Sequence, residues 1–271
     1  MRWRWRVFAA ATHGFVRTIS RSLAACELVH VARQPFDLAR AAAQHDAYVR
    51  ELRAAGVDIG VLPEAPDLPD ATFVEDPAVV FDECAILGRP GVRSREPEAA
   101  LIAPVVARIR RVFEIRAPGT LEGGDVLRLE RTLFVGRSRR TNDEGIRQLV
   151  AIVAPFGYTV QPVAVNGGLH LKTAITAPAA GLLVANPRWI DIAAFHGHEI
   201  LSVPADEPWA ANTLPVNGRV LVAASARRTA DSLVARGLDV RRIEIVELQK
   251  AEAGLTCLSV LYAQSPAGIG S

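Results

Sequence analysis

Residues 121–129, LEGGDVLRL, set a carboxylate and two glycines directly ahead of an apolar strand, and the arrangement recurs along the chain. Its counterparts are FVEDPAVVF (73–81), LHLKTAIT (169–176), ANTLPVN (211–217) and TCLSVLY (256–262). One marker residue from each, Glu75, Glu122, His170, Asn212 and Cys257, gives spacings of 47, 48, 42 and 45 residues. A repeat of about 45 residues indicates similar units set around an axis. Rotation would bring the polar strand tips together on that axis. Two carboxylates, an imidazole and a thiol would then share one site.

The repeat extends beyond these tips. Each polar-tipped strand is followed by a second strand, a turn, a helix and a third strand. The second strands are CAILG, TLFVG, LLVAN and VLVAAS. The helices are expected over about 36–55, from Glu96 to near Val112, up to Val153, from about Pro187, and up to Arg236. In the second of these, Leu101, Val105, Ile109 and Val112 form an apolar stripe at helical spacing. VDIGVLP, FEIRAP, YTVQPVAV, HEILSVP and VRRIEIV read as the third strands. The expected fold is therefore a five-bladed α/β propeller of strand–strand–helix–strand repeats with pseudo-five-fold symmetry. The strand near Gly14–Arg17 is expected to pair beside the last strand, closing the circle and removing an open sheet edge. The alternative is an open α/β sheet whose periodicity is accidental.

Composition narrows the function classes. The 271 residues are 50% hydrophobic and 22% charged, with net charge +2, enough for a substantial core but not for a strong nucleic-acid or membrane field. No apolar run reaches the roughly 20 residues needed to span a bilayer. Three cysteines, Cys26, Cys84 and Cys257, suit neither a disulfide framework nor a zinc site. A cytoplasmic protein is expected. Residues 1–12 read as an extension to which no role is assigned, and 13–271 as a single catalytic domain.

Several residues are chemically suggestive. Cys257 alone reads as a small core residue; its repeat equivalence with His170 points to a nucleophile, which must ionise to react. Glu122 beside a histidine would orient the ring and favour its protonated form. Glu75 and Asp76, with Asp70 close by, enter a strongly apolar strand. Such charges need a partner, and a planar guanidinium suits carboxylates best. Arg95 and Arg140 hold matching places after successive second strands, with Arg228 as the third member; arginines so placed suit a carboxylate. Acids for a guanidinium and arginines for a carboxylate together describe a ligand of the arginine type. Asn212 receives no role, and Cys26 reads as an exposed loop residue.

Taken in order, FVEDPAVV, RPGVRSRE, PGTLEGGDVL, RTNDEG, LHLKT and GLTCLS resemble the dimethylarginine dimethylaminohydrolases of the guanidino-modifying (pentein) superfamily. The likeness runs from about Val16 to Tyr262. It implies hydrolysis of Nω-methylated arginine to citrulline and an amine. Cys257 would be the nucleophile, His170 the general acid/base and Glu122 its acidic partner. Glu75 and Asp76 would bind the guanidinium. Arg95 and Arg140 would bind the α-carboxylate, and Asp70 and the Ala251 carbonyl the α-amino end. Phe73 would line the pocket, with Leu28 as the lid residue. The resemblance implies no metal or cofactor, a small-molecule substrate, and a monomer or homodimer with no nucleic-acid or membrane partner. Glu252 stands where family members often have aspartate, and the stretch from Ser22 to Gln34 matches the family poorly. An arginine deiminase would share these residues but usually carries an added helical domain, and amidinotransfer meets the same objection of length. A non-catalytic arginine-binding protein would need neither Cys257 nor His170.

Overall fold

The computed structural model describes residues 10–264. Residues 1–9 of the N-terminal extension lie outside them. The strands are β1 (His13–Arg17), β2 (Asp58–Leu62), β3 (Ala78–Val80), β4 (Cys84–Leu87), β5 (Arg111–Glu114), β6 (Val126–Leu129), β7 (Thr132–Arg137), β8 (Thr159–Ala164), β9 (Ile175–Ala179), β10 (Leu182–Ala185), β11 (Glu199–Ser202), β12 (Leu214–Val216), β13 (Arg219–Ala223), β14 (Asp239–Ile243) and β15 (Val260–Tyr262). They form five separate three-stranded sheets: β15-β1-β2, β3-β4-β5, β6-β7-β8, β9-β10-β11 and β12-β13-β14. In every sheet the first strand runs antiparallel to the middle one and the third runs parallel to it.

This is the expected five-bladed α/β propeller. The first blade joins the two ends of the chain, with His13 opposite Tyr262 and Phe15 opposite Val260. The core explains why the ring closes. Each cluster of buried side chains lies between two neighbouring blades. Phe81, Ile86, Val126 and Leu133 fill one gap, Leu127, Phe134, Ile175 and Leu183 the next, and Leu182, Val184, Val220 and Val222 a third. Val16 and Ile59 meet Leu221 and Ile243, and Phe15 and Val260 meet Val74 and Ala85. An unclosed set would leave two such faces in water, at about 25 cal/mol per Å² of apolar surface.

The helices are α1 (Leu38–Ala54), α2 (Glu96–Val106), α3 (Asp143–Val153), α4 (Leu171–Ala174), α5 (Arg227–Val234) and α6 (Val246–Gln249). Four of them, α1, α2, α3 and α5, join middle and outer strands, and two short ones, α4 and α6, lead from an outer strand to the next inner strand. Asp37 caps α1 by accepting from Arg40 N at 2.9 Å, and Asn142 caps α3 by accepting from Gly145 N at 2.8 Å. Helix α1 turns Ala41, His45, Tyr48, Val49 and Leu52 inward, positions one helical face apart.

Two helix expectations need correction. Helix α2 stops at Val106, and Val112 lies in β5. Its buried apolar residues are Ile102 and Val106, while Leu101 is exposed, so the stripe is displaced by one position. The apolar sequence continues through the junction because helix and strand pack on the same core. The segment after β10 forms only a single 3-10 turn, Ile192–Phe195, where a short α-helix is expected from Pro187. Cys26 is also buried rather than exposed.

Candidate active site

The inner strands β3, β6, β9, β12 and β15 surround an axial cavity of about 1050 Å³. Glu75, Lys172 and Thr256 line it, whereas Asp76, Glu122, His170 and Cys257 do not. Lys172 Nζ donates to Glu75 Oε1 beside it. Lys172 went unread in the sequence, although LHLKT places it two residues after His170.

Beyond that pair lies a buried polar cluster. His170 is the N-cap of α4, and its ring Nε2 is 2.7 Å from Glu122 Oε2. A carboxylate only accepts, so Nε2 carries the proton and Nδ1 is left to do chemistry. Glu122 Oε1 accepts from Gly91 N at 3.0 Å and from Arg140 at 3.4 Å. Asp125, also unread in the sequence, accepts from Leu171 N at 2.9 Å and from Ser138 Oγ at 2.6 Å, so it fixes the start of α4 and with it His170. The double glycine has a steric reason. A Cβ on Gly124 would lie 2.6 Å from His170 Nδ1 and 2.9 Å from Asp76 Oδ1.

Electrostatics divide the cluster. Burial alone would lower the His170 pKa, but the carboxylates of Asp76, Glu122 and Asp125 outweigh it and raise it to about 9. Burial would raise that of Glu122, but His170, Arg95 and Arg140 hold it well below the usual carboxylate range. The Cys257 thiol is pushed far up, first by burial and then by Asp76 and Glu75; the Gly254 N–H, 3.5 Å from Sγ, pulls back only in part. Around neutral pH the site therefore holds an imidazolium and an un-ionised thiol.

The buried oxygens Asp76 Oδ1 and Glu75 Oε2 meet no donor in hydrogen-bonding geometry. Such groups are costly to leave unpaired, and a cationic guest would satisfy both.

Arg95 Nη1 donates to Asp76 Oδ2 at 2.8 Å, while its Nε and Nη2 grip Glu98 at 2.9 and 2.8 Å. Both arginines are buried, so in this structure the carboxylates they meet are the protein's own. Burial, eased by Arg95, lifts Glu98 to about 7. Arg228 does not join them; it is exposed and pairs with Asp206 at 2.9 Å. Asp76, Glu122 and His170 bring ligand-capable atoms within 4.8 Å of one another, but two arginines lie against the same carboxylates and would oppose a divalent cation.

The segment after β1 covers this cluster. Leu28 packs on the apolar group that includes Phe73, Ala251 and Cys257. Asp70 Oδ2 accepts from Glu27 N at 3.1 Å. Glu252 Oε1 accepts from the successive amides of Val29, His30 and Val31, the outer two at 2.9 and 2.8 Å. Glu252 thus anchors the covering segment from a left-handed backbone position, φ 58°. From the outer side, Tyr48 Oη of α1 meets Leu255 O at 3.0 Å and Ser259 Oγ at 2.7 Å, bracing the cysteine turn.

Known proteins resemble this chain in sequence and fold. The family model for eukaryotic N,N-dimethylarginine dimethylhydrolase matches residues 33–177. The N(G),N(G)-dimethylarginine dimethylaminohydrolase of Streptomyces coelicolor is 41% identical, covering 90% of this chain and 95% of its own. That of Pseudomonas aeruginosa is 36% identical, covering 92% and 99%. A solved structure of the P. aeruginosa enzyme, a cysteine-to-serine mutant complexed with citrulline, superposes with a TM-score of 0.90 at 35% identity over 94% of this chain and 100% of that one. The N-terminal domain of a cyanobacterial arginine dihydrolase shares the fold at a TM-score of 0.85 and 18% identity. By sequence and fold, this chain belongs to the dimethylarginine dimethylaminohydrolase family.

Proposed function

We propose that this protein hydrolyses Nω-methylated arginine, asymmetric dimethylarginine or monomethylarginine, to L-citrulline and dimethylamine or methylamine. The observation that carries the reading is the pair of buried carboxylate oxygens without a hydrogen bond, Glu75 Oε2 and Asp76 Oδ1, the latter 3.9 Å from His170 Nδ1, in a site that also holds a thiol and an imidazolium.

Glu75 and Asp76 receive the substrate guanidinium. Its positive charge offsets the two carboxylates that hold the Cys257 thiol un-ionised, so the thiol loses its proton to water once substrate is bound. The thiolate attacks the guanidinium carbon and forms a C–S bond. His170, already protonated at Nδ1, gives that proton to the methylated nitrogen as its C–N bond breaks, because an alkylamine leaves poorly as an anion. A covalent thiouronium remains on Cys257. The now neutral His170 takes a proton from an entering water, whose oxygen adds to the same carbon. Collapse breaks the C–S bond and releases citrulline, and the hydroxyl proton of the adduct passes to the departing sulfur, restoring the Cys257 thiol. Glu122 holds the ring for both proton transfers. Arg95 and Arg140 take the α-carboxylate, with Arg95 exchanging Glu98 for the substrate. Asp70 and the Ala251 carbonyl take the α-amino group, beside Phe73 and under Leu28.

This reading treats residues 13–271 as one catalytic unit and needs no metal or cofactor. It places the protein in the cytoplasm, which the three free, buried cysteines support. Among the described residues no helix is long and apolar enough to cross a membrane.

The test is product analysis with dimethylarginine, monomethylarginine and arginine supplied separately. Citrulline with equimolar dimethylamine or methylamine is expected. Ammonia from arginine as the main product would favour a deiminase instead. Cys257→Ser should remove citrulline formation while the circular dichroism spectrum stays that of the parent; retained turnover would overturn the nucleophile assignment.

A further inference from the structure

The fourth strand tip, Asn212, has no place in the chemistry above, yet its surroundings are unusual. It is buried, and both ends of its carboxamide are used. Nδ2 donates to Lys172 O at 2.9 Å and to Thr256 Oγ1 at 3.1 Å, and Oδ1 accepts from Thr256 N at 3.2 Å. Lys172 lies two residues after His170, and Thr256 immediately precedes Cys257. These contacts join the third and fifth tips across the fourth. His170 comes from the loop entering β9, Cys257 from the loop entering β15, and the intervening β12 carries Asn212 at its entrance.

Only one orientation of the amide suits these partners. Lys172 O requires a donor and Thr256 N requires an acceptor, so an aspartate, a serine or an alanine would each leave at least one buried group unpaired. The contact reaches the sulfur by a second route. A Cβ on Gly254 would stand 2.3 Å from Asn212 Cγ, so the packed amide excludes any larger residue there. Gly254 is the residue whose N–H faces Cys257 Sγ at 3.5 Å. Lys172, held through its carbonyl, also turns its Nζ to Glu75, so the same amide helps to place a guanidinium carboxylate.

We infer that Asn212 is a positioning residue, whose carboxamide locks the His170 turn to the Cys257 turn and sets the separation of acid and nucleophile. This rests on the reading of His170 and Cys257 as the reacting pair. A fixed geometry matters because a shift of about 1 Å in reacting groups costs on the order of a hundredfold in rate.

The experiment compares full-length wild type, Asn212→Ala and Asn212→Asp. Asn212→Asp keeps the volume and the acceptor for Thr256 N, so it preserves the packing if the alanine variant fails to fold. Steady-state citrulline formation from dimethylarginine is expected to lose about tenfold or more in kcat, with KM within about threefold of wild type. The rate of Cys257 alkylation by iodoacetamide, followed against pH in the absence of substrate, is expected to shift by at least about threefold at a given pH. A kcat within about twofold of wild type, or a kcat loss equal to the loss of folded protein seen by circular dichroism, would overturn the inference. If wild type itself does not turn over methylated arginine, the functional reading fails. The alkylation profile then decides alone: a shifted profile upholds the clamp and an unchanged one removes it.

Discussion

His170 Nε2 stands 2.7 Å from Glu122 Oε2, both side chains are buried, and Glu122 is itself held by Gly91 N and Arg140. The pair fixes the ring orientation, and with Asp76 and Asp125 it outweighs burial and keeps the imidazolium ionised up to about pH 9. Replacing Glu122 by Gln keeps the shape and removes the charge. The His170 pKa should fall by about 1–3 units, moving the alkaline limb of the pH–rate profile down by that amount, and kcat should drop on the order of a hundredfold. A profile that superposes on wild type would disprove the coupling.

The same raised pKa affects stability. His170 titrates near 6.5 unfolded and near 9 folded, so its contribution is fully present below about pH 6.5 and is lost as pH rises through 9. Urea unfolding of His170→Ala should converge with that of wild type at alkaline pH if the folded protein is measured from pH 6 to 10.

The resting thiol makes a further prediction. Burial and the carboxylates of Asp76 and Glu75 hold Cys257 un-ionised. Alkylation of the free protein by iodoacetamide should therefore keep accelerating beyond the ordinary thiol range, past pH about 9. Asp76→Asn should bring that midpoint down while raising KM for dimethylarginine. A midpoint near 8.5 in wild type would show that the carboxylates do not control the sulfur.

Glu252 holds three successive amides of the covering segment. Glu252→Gln turns charge-assisted bonds into neutral ones, and Glu252→Asp shortens their reach. For either variant KM should rise about tenfold, a loss of about 1.4 kcal/mol, with a smaller change in kcat. Faster proteolysis within residues 22–34 should accompany it. Unchanged KM and unchanged proteolysis would separate the segment from substrate binding.

Lys172 supplies the cation that Glu75 meets at the end of the axial cavity. Lys172→Met leaves that carboxylate without its partner, and stability should fall by on the order of 3 kcal/mol in chemical denaturation. Lys172→Arg should recover most of it. An equally stable methionine variant would mean that water, not Lys172, compensates Glu75.

Much of this molecule is legible in the chain itself. The spacing of Glu75, Glu122, His170, Asn212 and Cys257 carries the five-fold order, because four of the five blades are built from local pairings within one repeat and repeat its pattern of apolar strands. The candidate residues Asp76, Glu122, His170 and Cys257 are legible for the same reason: they stand at equivalent ends of equivalent strands. The limits of α2 are less so, since Ile109 and Val112 are apolar whether they face a core from a helix, a turn or a strand.

Partners were decided only by tertiary structure. Arg95 against Asp76, Lys172 against Glu75, Asp125 beneath Leu171 and Asn212 between Lys172 and Thr256 are contacts between segments distant in the chain, and no period in the sequence encodes them. Arg228 shows the same limit from the other side: repeat position put it with Arg95 and Arg140, but packing left it in solvent. Periodic hydrophobicity specifies local elements and their order. The charge state of a buried thiol or imidazole depends on which groups close packing brings within a few ångströms, and that is settled when the ring closes.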